Sequence, residues 1–231
     1  MKTAVALGLL PFLMSLTSQL AVLNLQRSYE SQDSLELLSG GVEAVLAVVS
    51  EPHCSVMFFT DGASTLSTVA KNSLQQYHLW TYLCKSVFEV SEISEDFNVT
   101  QTLLYHVVSE AQRLRQVSWC VTLVVVSDNH GFLSAFVKLS LSGRLVVPAT
   151  KLLVVTDFSK VNDPDLSKMY SRTNSMVLVK EDSRRGNRCG VYTQLPYSPQ
   201  GSKAVKLASW TPHEGLVLTS HTPLFPDKFS K

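Results

Sequence analysis

The chain has 231 residues, 45% of them hydrophobic, with 20 Lys and Arg against 19 Asp and Glu. That length suits one large domain with appendages, and the near-zero net charge speaks against a nucleic-acid binder, which carries a basic excess. Ten glycines in the whole chain, below the usual share of about 7%, leave little material for a Gly-rich phosphate cradle.

Lys2 is followed by an apolar run, Ala4 to Met14, interrupted by Pro11 and then by Ser15, Thr17 and Ser18. A basic start, an apolar middle and small residues describe a secretory signal peptide, expected to end near residue 21. The run is short for a membrane span. It resumes at Leu20 to Leu23, so an uncleaved signal-anchor stays open as the alternative. No later segment approaches the roughly 18 apolar residues of a spanning helix.

Residues 28–33 are polar and read as a loop. From Ser34 to Val49, Leu35, Leu37, Leu38, Val42, Val45, Leu46 and Val49 recur mostly at three- and four-residue spacing, which predicts an amphipathic helix weakened by Gly40-Gly41 and closed by Pro52. Trp119 to Gly131 (WCVTLVVVSDNHG) is a continuous apolar run that stops at Ser127-Asp128-Asn129-His130-Gly131, and Ser55 to Asp61 (SVMFFTD) and Lys151 to Asp157 (KLLVVTD) repeat the pattern, each run closed by Ser or Thr and then Asp. Runs without polar alternation predict strands covered on both faces. Helical patterns lie between them, at about 65–85, at 100–115 and at 132–141, with a short strand at 86–90. Strand–helix alternation of this kind predicts a parallel sheet with helical crossovers.

Beyond residue 162 the pattern changes. Asn162-Asp163-Pro164-Asp165 reads as a turn before one short helix ending at Tyr170. Met176 to Glu181, Arg188 to Thr193 and Ala204 to Trp210 read as strands joined in hairpins. The expected fold is therefore α/β: a mostly parallel, Rossmann-like sheet resembling one lobe of a periplasmic binding protein, followed by C-terminal antiparallel strands. The expected divisions are a leader at 1–21, a parallel lobe at 22–174, antiparallel strands at 175–214 and an extended linker at 215–231.

Asp61, Asp128 and Asp157 stand at the carboxyl ends of predicted parallel strands, the edge where open α/β sheets bind ligands. As a group they would suit a divalent cation; singly they would cap the helices that follow or form Asx-turns, and capping is the better reading. Ser64 follows a strand as a hydrolase nucleophile would, but without the G-x-S-x-G elbow. No nucleotide-binding or zinc-peptidase motif is present. His53, His78, His106, His130, His213 and His221 match no metal-ligand spacing and read as structural. Arg184, Arg185 and Arg188 read as a solvated hairpin turn. No catalytic residue, no metal site and no cofactor is expected.

Cys54, Cys84, Cys120 and Cys189 allow two disulfides in an oxidising compartment. Cys54 precedes the first strand, and Cys84 ends the crossover that returns to the same edge. Cys54–Cys84 is the expected bridge, with Cys120 a competitor on that edge. Cys189 either bridges to Cys120 or stays, like it, a buried thiol. Asn98-Val99-Thr100 is an N-glycosylation sequon; Asn98 would alternatively be a helix N-cap, and both roles are compatible.

Residues 188–229 carry Arg188-Cys189-Gly190-Val191-Tyr192, Leu195-Pro196-Tyr197, Ala208-Ser209-Trp210-Thr211-Pro212, Gly215-Leu216 and Leu224-Phe225-Pro226-Asp227-Lys228-Phe229. This set resembles the segment of arthropod ionotropic receptors, above all the crustacean ones, that joins their amino-terminal extracellular domain to the ligand-binding domain. These receptors are chemosensory relatives of the ionotropic glutamate receptors. The leader and the βα region fit the same family. The resemblance implies an extracellular amino-terminal domain that acts in assembly or ligand access within a ligand-gated cation channel. It also implies other receptor subunits as partners, attachment to the membrane only through a part absent here, and a truncated chain. The family's glutamate-contacting residues belong to that absent part, so no position here inherits them. The alternative is a self-standing secreted α/β protein that binds a small molecule.

Overall fold

The computed structural model describes residues 32–49, 51, 54–62, 66–76, 85–90, 97–118, 120–181, 187–195 and 204–226. The expected leader, and with it His53, Ser64, His78, Cys84, Trp119, Arg184 and Arg185, lies outside them. The chain divides into two units, residues 1–34 and residues 35–231. Of the first, residues 32–34 are described and are helical. The second holds the sheet.

Helix α1 (residues 32–49) precedes β1 (Ser55–Thr60). There follow α2 (Ser67–Gln76), β2 (Lys85–Glu89), α3 (Phe97–Gln116), β3 (Val121–Val126), α4 (His130–Ser142), β4 (Lys151–Val155), α5 (Pro164–Ser171), β5 (Ser175–Glu181), β6 (Arg188–Gln194), β7 (Ala204–Thr211) and β8 (Gly215–Leu218). One eight-stranded sheet runs β2-β1-β3-β4-β5-β6-β7-β8. Its first five strands are parallel and the last three are antiparallel. The α/β class and the parallel alignment of the three apolar runs are as expected. β5 belongs to both regimes: it is parallel to β4 and antiparallel to β6. The tail at 215–218, expected as linker, forms the edge strand β8.

Every residue of β1 and β3 is buried, because helices cover both faces. Met57, Phe59, Leu123, Val125, Leu152 and Val154 pack with α3, α4 and α5. The alternate residues Val56, Phe58, Val124, Val126, Leu153 and Val155 pack with α1 and α2. Each such side chain contributes about 1.5–3 kcal/mol by leaving water. This distribution follows from the connections: right-handed crossovers put α2 on one face and, after the chain reverses its direction across the sheet, α3 to α5 on the other.

The amino ends of β1 and β3 are tied by a disulfide between Cys54 and Cys120. This corrects the expected Cys54–Cys84 bridge. The register sets Ser55 beside Val121, so the residues one place earlier lie opposite each other, with Cα atoms 4.9 Å apart, within reach of a disulfide. The crossover argument compared a strand start with a helix end and missed this closer neighbour. Cys189 is a buried free thiol, and burial, together with the nearby Glu181 charge, pushes its pKa up to about 12. Asn98 lies in the first turn of α3 rather than at its N-cap.

The antiparallel end explains the Arg188–Tyr192 motif residue by residue. Strand alternation sends Cys189 and Val191 into the core on the α1 side. Arg188 and Tyr192 project to the opposite face, where Arg188 Nε donates to Glu181 at 2.7 Å and the Tyr192 hydroxyl donates to the same carboxylate. Lys206 donates to both Glu181 oxygens at 2.7 and 2.8 Å. Burial alone would raise the Glu181 pKa, but the bonds from Lys206, Tyr192 and Arg188 outweigh it and hold the carboxyl below the usual range. A Cβ on Gly190 would fall on the Glu181 carboxylate. On β7, Leu207 is the extra residue of a bulge, since Val191 pairs with Ala208 and Tyr192 with Lys206; both Leu207 and Ala208 are buried on the α1 side.

The weakness of Gly40-Gly41 as helix formers has a packing purpose. Trp210 of β7 lies over Gly40, where a Cβ would meet its indole ring. Cys189 Sγ would lie 3.1 Å from a Cβ on Gly41. The Lys151 ammonium donates to the Val49 carbonyl at 2.7 Å, satisfying an orphan carbonyl at the end of α1. Phe225 is buried in the same cluster, and its backbone N–H donates to Met176 Sδ at 3.3 Å, so the segment after β8 is packed on the domain as far as residue 226.

Replacing Gly40 by Leu is expected to lower stability by about 1–3 kcal/mol, the usual cost of overpacking. The cost should shrink in a Trp210→Ala background. A double-mutant cycle read by urea unfolding checks this, and equal costs in both backgrounds contradict the contact.

Candidate functional site

The strand order places β1 and β3 side by side, with β2 outside β1 and β4 outside β3. The chain leaves β1 in one direction and returns past it to β3, so the β1/β3 boundary is the topological switch point, where open α/β sheets leave a crevice at the carboxyl ends of the strands. Asp61 follows β1 and Ser127 follows β3. Thr156 follows β4, on the far side of β3.

The three strand ends look alike in sequence but are offset in the sheet. Thr60 pairs with Val126, and Val126 with Val155. One residue further, Asp61, Ser127 and Thr156 therefore form a single row on the face covered by α3 to α5. All three are buried. Ser127 Oγ donates to Asp61 Oδ2 at 2.5 Å and accepts from the Asn129 backbone N–H at 3.0 Å. Thr156 Oγ1 is buried with no hydrogen-bond partner. A buried hydroxyl left unmatched costs about 1–3 kcal/mol, so the row ends on a group able to take one more polar contact.

Asp128 and Asp157 fall one step beyond that row and are exposed. Loss of water around its carboxyl raises the Asp128 pKa, and the charges of Asp157 and Asp61 add to this, only partly countered by its own backbone N–H and by Lys160. The three carboxylates thus share one electrostatic neighbourhood, as an edge grouping requires. Their expected capping role is corrected for two of them. The N-cap of α4 is Asn129, whose side chain accepts from Phe132 N at 3.0 Å. Asp157 precedes the single turn Phe158–Lys160, and its side chain makes no cap hydrogen bond. Asp128 comes one residue too early to cap α4, and a lone 3-10 turn offers Asp157 few free N–H groups.

Beside this edge, His130 at the start of α4 meets Asp163, with Nε2 3.3 Å from Oδ1. Asp163 is the N-cap of α5 and accepts from Asp165 N and Leu166 N, each at 3.1 Å. The two residues are 33 apart in sequence, so no spacing rule would link them. Ser127 and Thr156 were visible as strand-end hydroxyls, but their burial depends on the sheet register. What the edge offers is a buried carboxylate–hydroxyl pair, a spare hydroxyl and an acidic rim.

No protein-family model and no curated protein matches the chain. Among the described residues no helix is long and apolar enough to cross a membrane.

Ser127→Ala is expected to cost about 1.5–3 kcal/mol, since it removes a hydrogen bond to a charged group. Thr156→Val keeps the shape and removes an unmatched hydroxyl, so it should leave stability unchanged or raise it. Chemical unfolding of the two variants checks the contrast, and the opposite order would contradict the assignment of the row.

Proposed function

We propose that this chain is the extracellular amino-terminal domain of a chemosensory ionotropic receptor, a ligand-gated cation channel related to glutamate receptors, and that it acts in assembly or ligand access rather than in catalysis. The observation that carries this reading is the 188–229 segment that resembles the arthropod receptors. Its markers have physical roles in this fold. Arg188, Gly190 and Tyr192 enclose Glu181, Trp210 covers Gly40, and Phe225 closes the core beside Met176. The marker residues among these are thus packed into the domain rather than hanging from it. The Cys54–Cys120 bridge fits passage through the oxidising secretory pathway, as does the leader-like start of the sequence. In this reading the partners are other subunits of the same receptor class.

A second reading has its own support. The polar row at the switch point, with the unmatched Thr156 hydroxyl, suits a secreted small-molecule-binding protein that works alone. Reading the transcript past Lys231 separates the two. The receptor reading expects an in-frame two-lobed ligand-binding domain with three membrane helices. A stop codon directly after Lys231 contradicts it and leaves the stand-alone binder.

A further inference from the structure

We propose that His130, Asp163 and Asp165 form a binding site for a divalent transition-metal ion, with zinc as the best match. One ligand atom from each lies within 4.8 Å of the others. The donors come from two elements: His130 opens α4, while Asp163 and Asp165 flank the start of α5. The imidazole of His130 is part-exposed and its Nε2 faces the Asp163 carboxylate.

The distances suit the chemistry. Zinc holds imidazole nitrogen and carboxylate oxygen at about 2.0–2.1 Å in a tetrahedron, which puts neighbouring ligand atoms about 3.3 Å apart. His130 Nε2 lies 3.3 Å from Asp163 Oδ1, which brings the imidazole and this carboxylate close enough to share one ion. Asp165 is exposed, so its side chain is free to turn inward and close the gap. Three protein ligands then leave the fourth position to water. The borderline character of one nitrogen and two oxygens favours zinc or a neighbouring first-row ion over calcium, which takes six to eight oxygens.

The site is also held in place. Two backbone N–H groups of α5 both donate to Asp163 Oδ1, which orients the carboxylate, as outer support does at characterised centres, and leaves its other oxygen, Oδ2, to take an ion. The positive amino ends of α4 and α5 oppose a cation. Against them stand Asp163 and Asp165 themselves and the acidic rim of Asp128 and Asp157, with Lys160 the one lysine nearby that acts on Asp128. A plain His130–Asp163 ion pair would account for the 3.3 Å contact, but it gives no part to Asp165. That residue distinguishes the two accounts.

The test is calorimetric titration of the purified full chain with zinc chloride, on wild type, His130→Gln and Asp165→Asn. Asp163 is left intact because it caps α5. Wild type is expected to bind one ion per chain in a saturable manner. Each variant should bind it about tenfold more weakly or worse, which is no less than the loss of an outer-shell partner costs elsewhere. Zinc should raise the melting temperature of wild type by mass action and leave that of the variants unchanged. Melting in chelator should be the same for all three proteins, which separates lost binding from lost folding. No saturable binding by wild type overturns the proposal, and so does undiminished binding by either variant.

Discussion

The parallel pairing of β1 with β3 is the constraint on which the rest of this domain hangs. At one end the pair is closed by the Cys54–Cys120 bridge, at the other by the Ser127 hydroxyl on Asp61. The bridge spans a sequence separation of 66 residues, and on the loop-entropy model a closure of that size is worth about 4 kcal/mol. Within that span lie α2, β2 and α3, so one covalent bond restrains the first two crossovers together. Because the register is fixed at the amino end, the residues at the carboxyl end are fixed too. Asp61 falls beside Ser127 and not beside Asp128.

That offset separates two kinds of acidic residue at one edge. Asp61 is buried and satisfied by a hydroxyl, and its lookalikes Asp128 and Asp157 form an exposed rim. The antiparallel half of the sheet works by the same alternation. In β6 the odd residues Cys189 and Val191 meet α1, and the even ones gather around Glu181. A strand that must serve both faces has little freedom of sequence. This is why five consecutive residues, Arg188 to Tyr192, read as a motif.

Much of this architecture was legible in the sequence. Three apolar runs without polar alternation read as strands covered on both sides, and the helical spacing between them implied parallel neighbours. The fold class followed. What stayed hidden depended on register. Cys54 and Cys120 are opposed because Ser55 pairs with Val121, and nothing local to either cysteine says so. The same holds for the row of Asp61, Ser127 and Thr156, where three similar strand endings suggested three equivalent carboxylates. β8 was missed because Gly215–Leu218 is short and borders a Pro-rich tail. It exists because β7 offers it an edge, and Gly215, at φ +72°, lets the chain turn back. His130 and Asp163 meet only because α4 and α5 start side by side.

The most direct measurement of this account is mass spectrometry of peptides cut from the unreduced protein. A linked pair containing Cys54 and Cys120, with Cys189 alkylated as a free thiol only after denaturation, is the predicted result. A linked pair containing Cys54 and Cys84 would mean that the first and third strands are not opposed in the register described, and would contradict it.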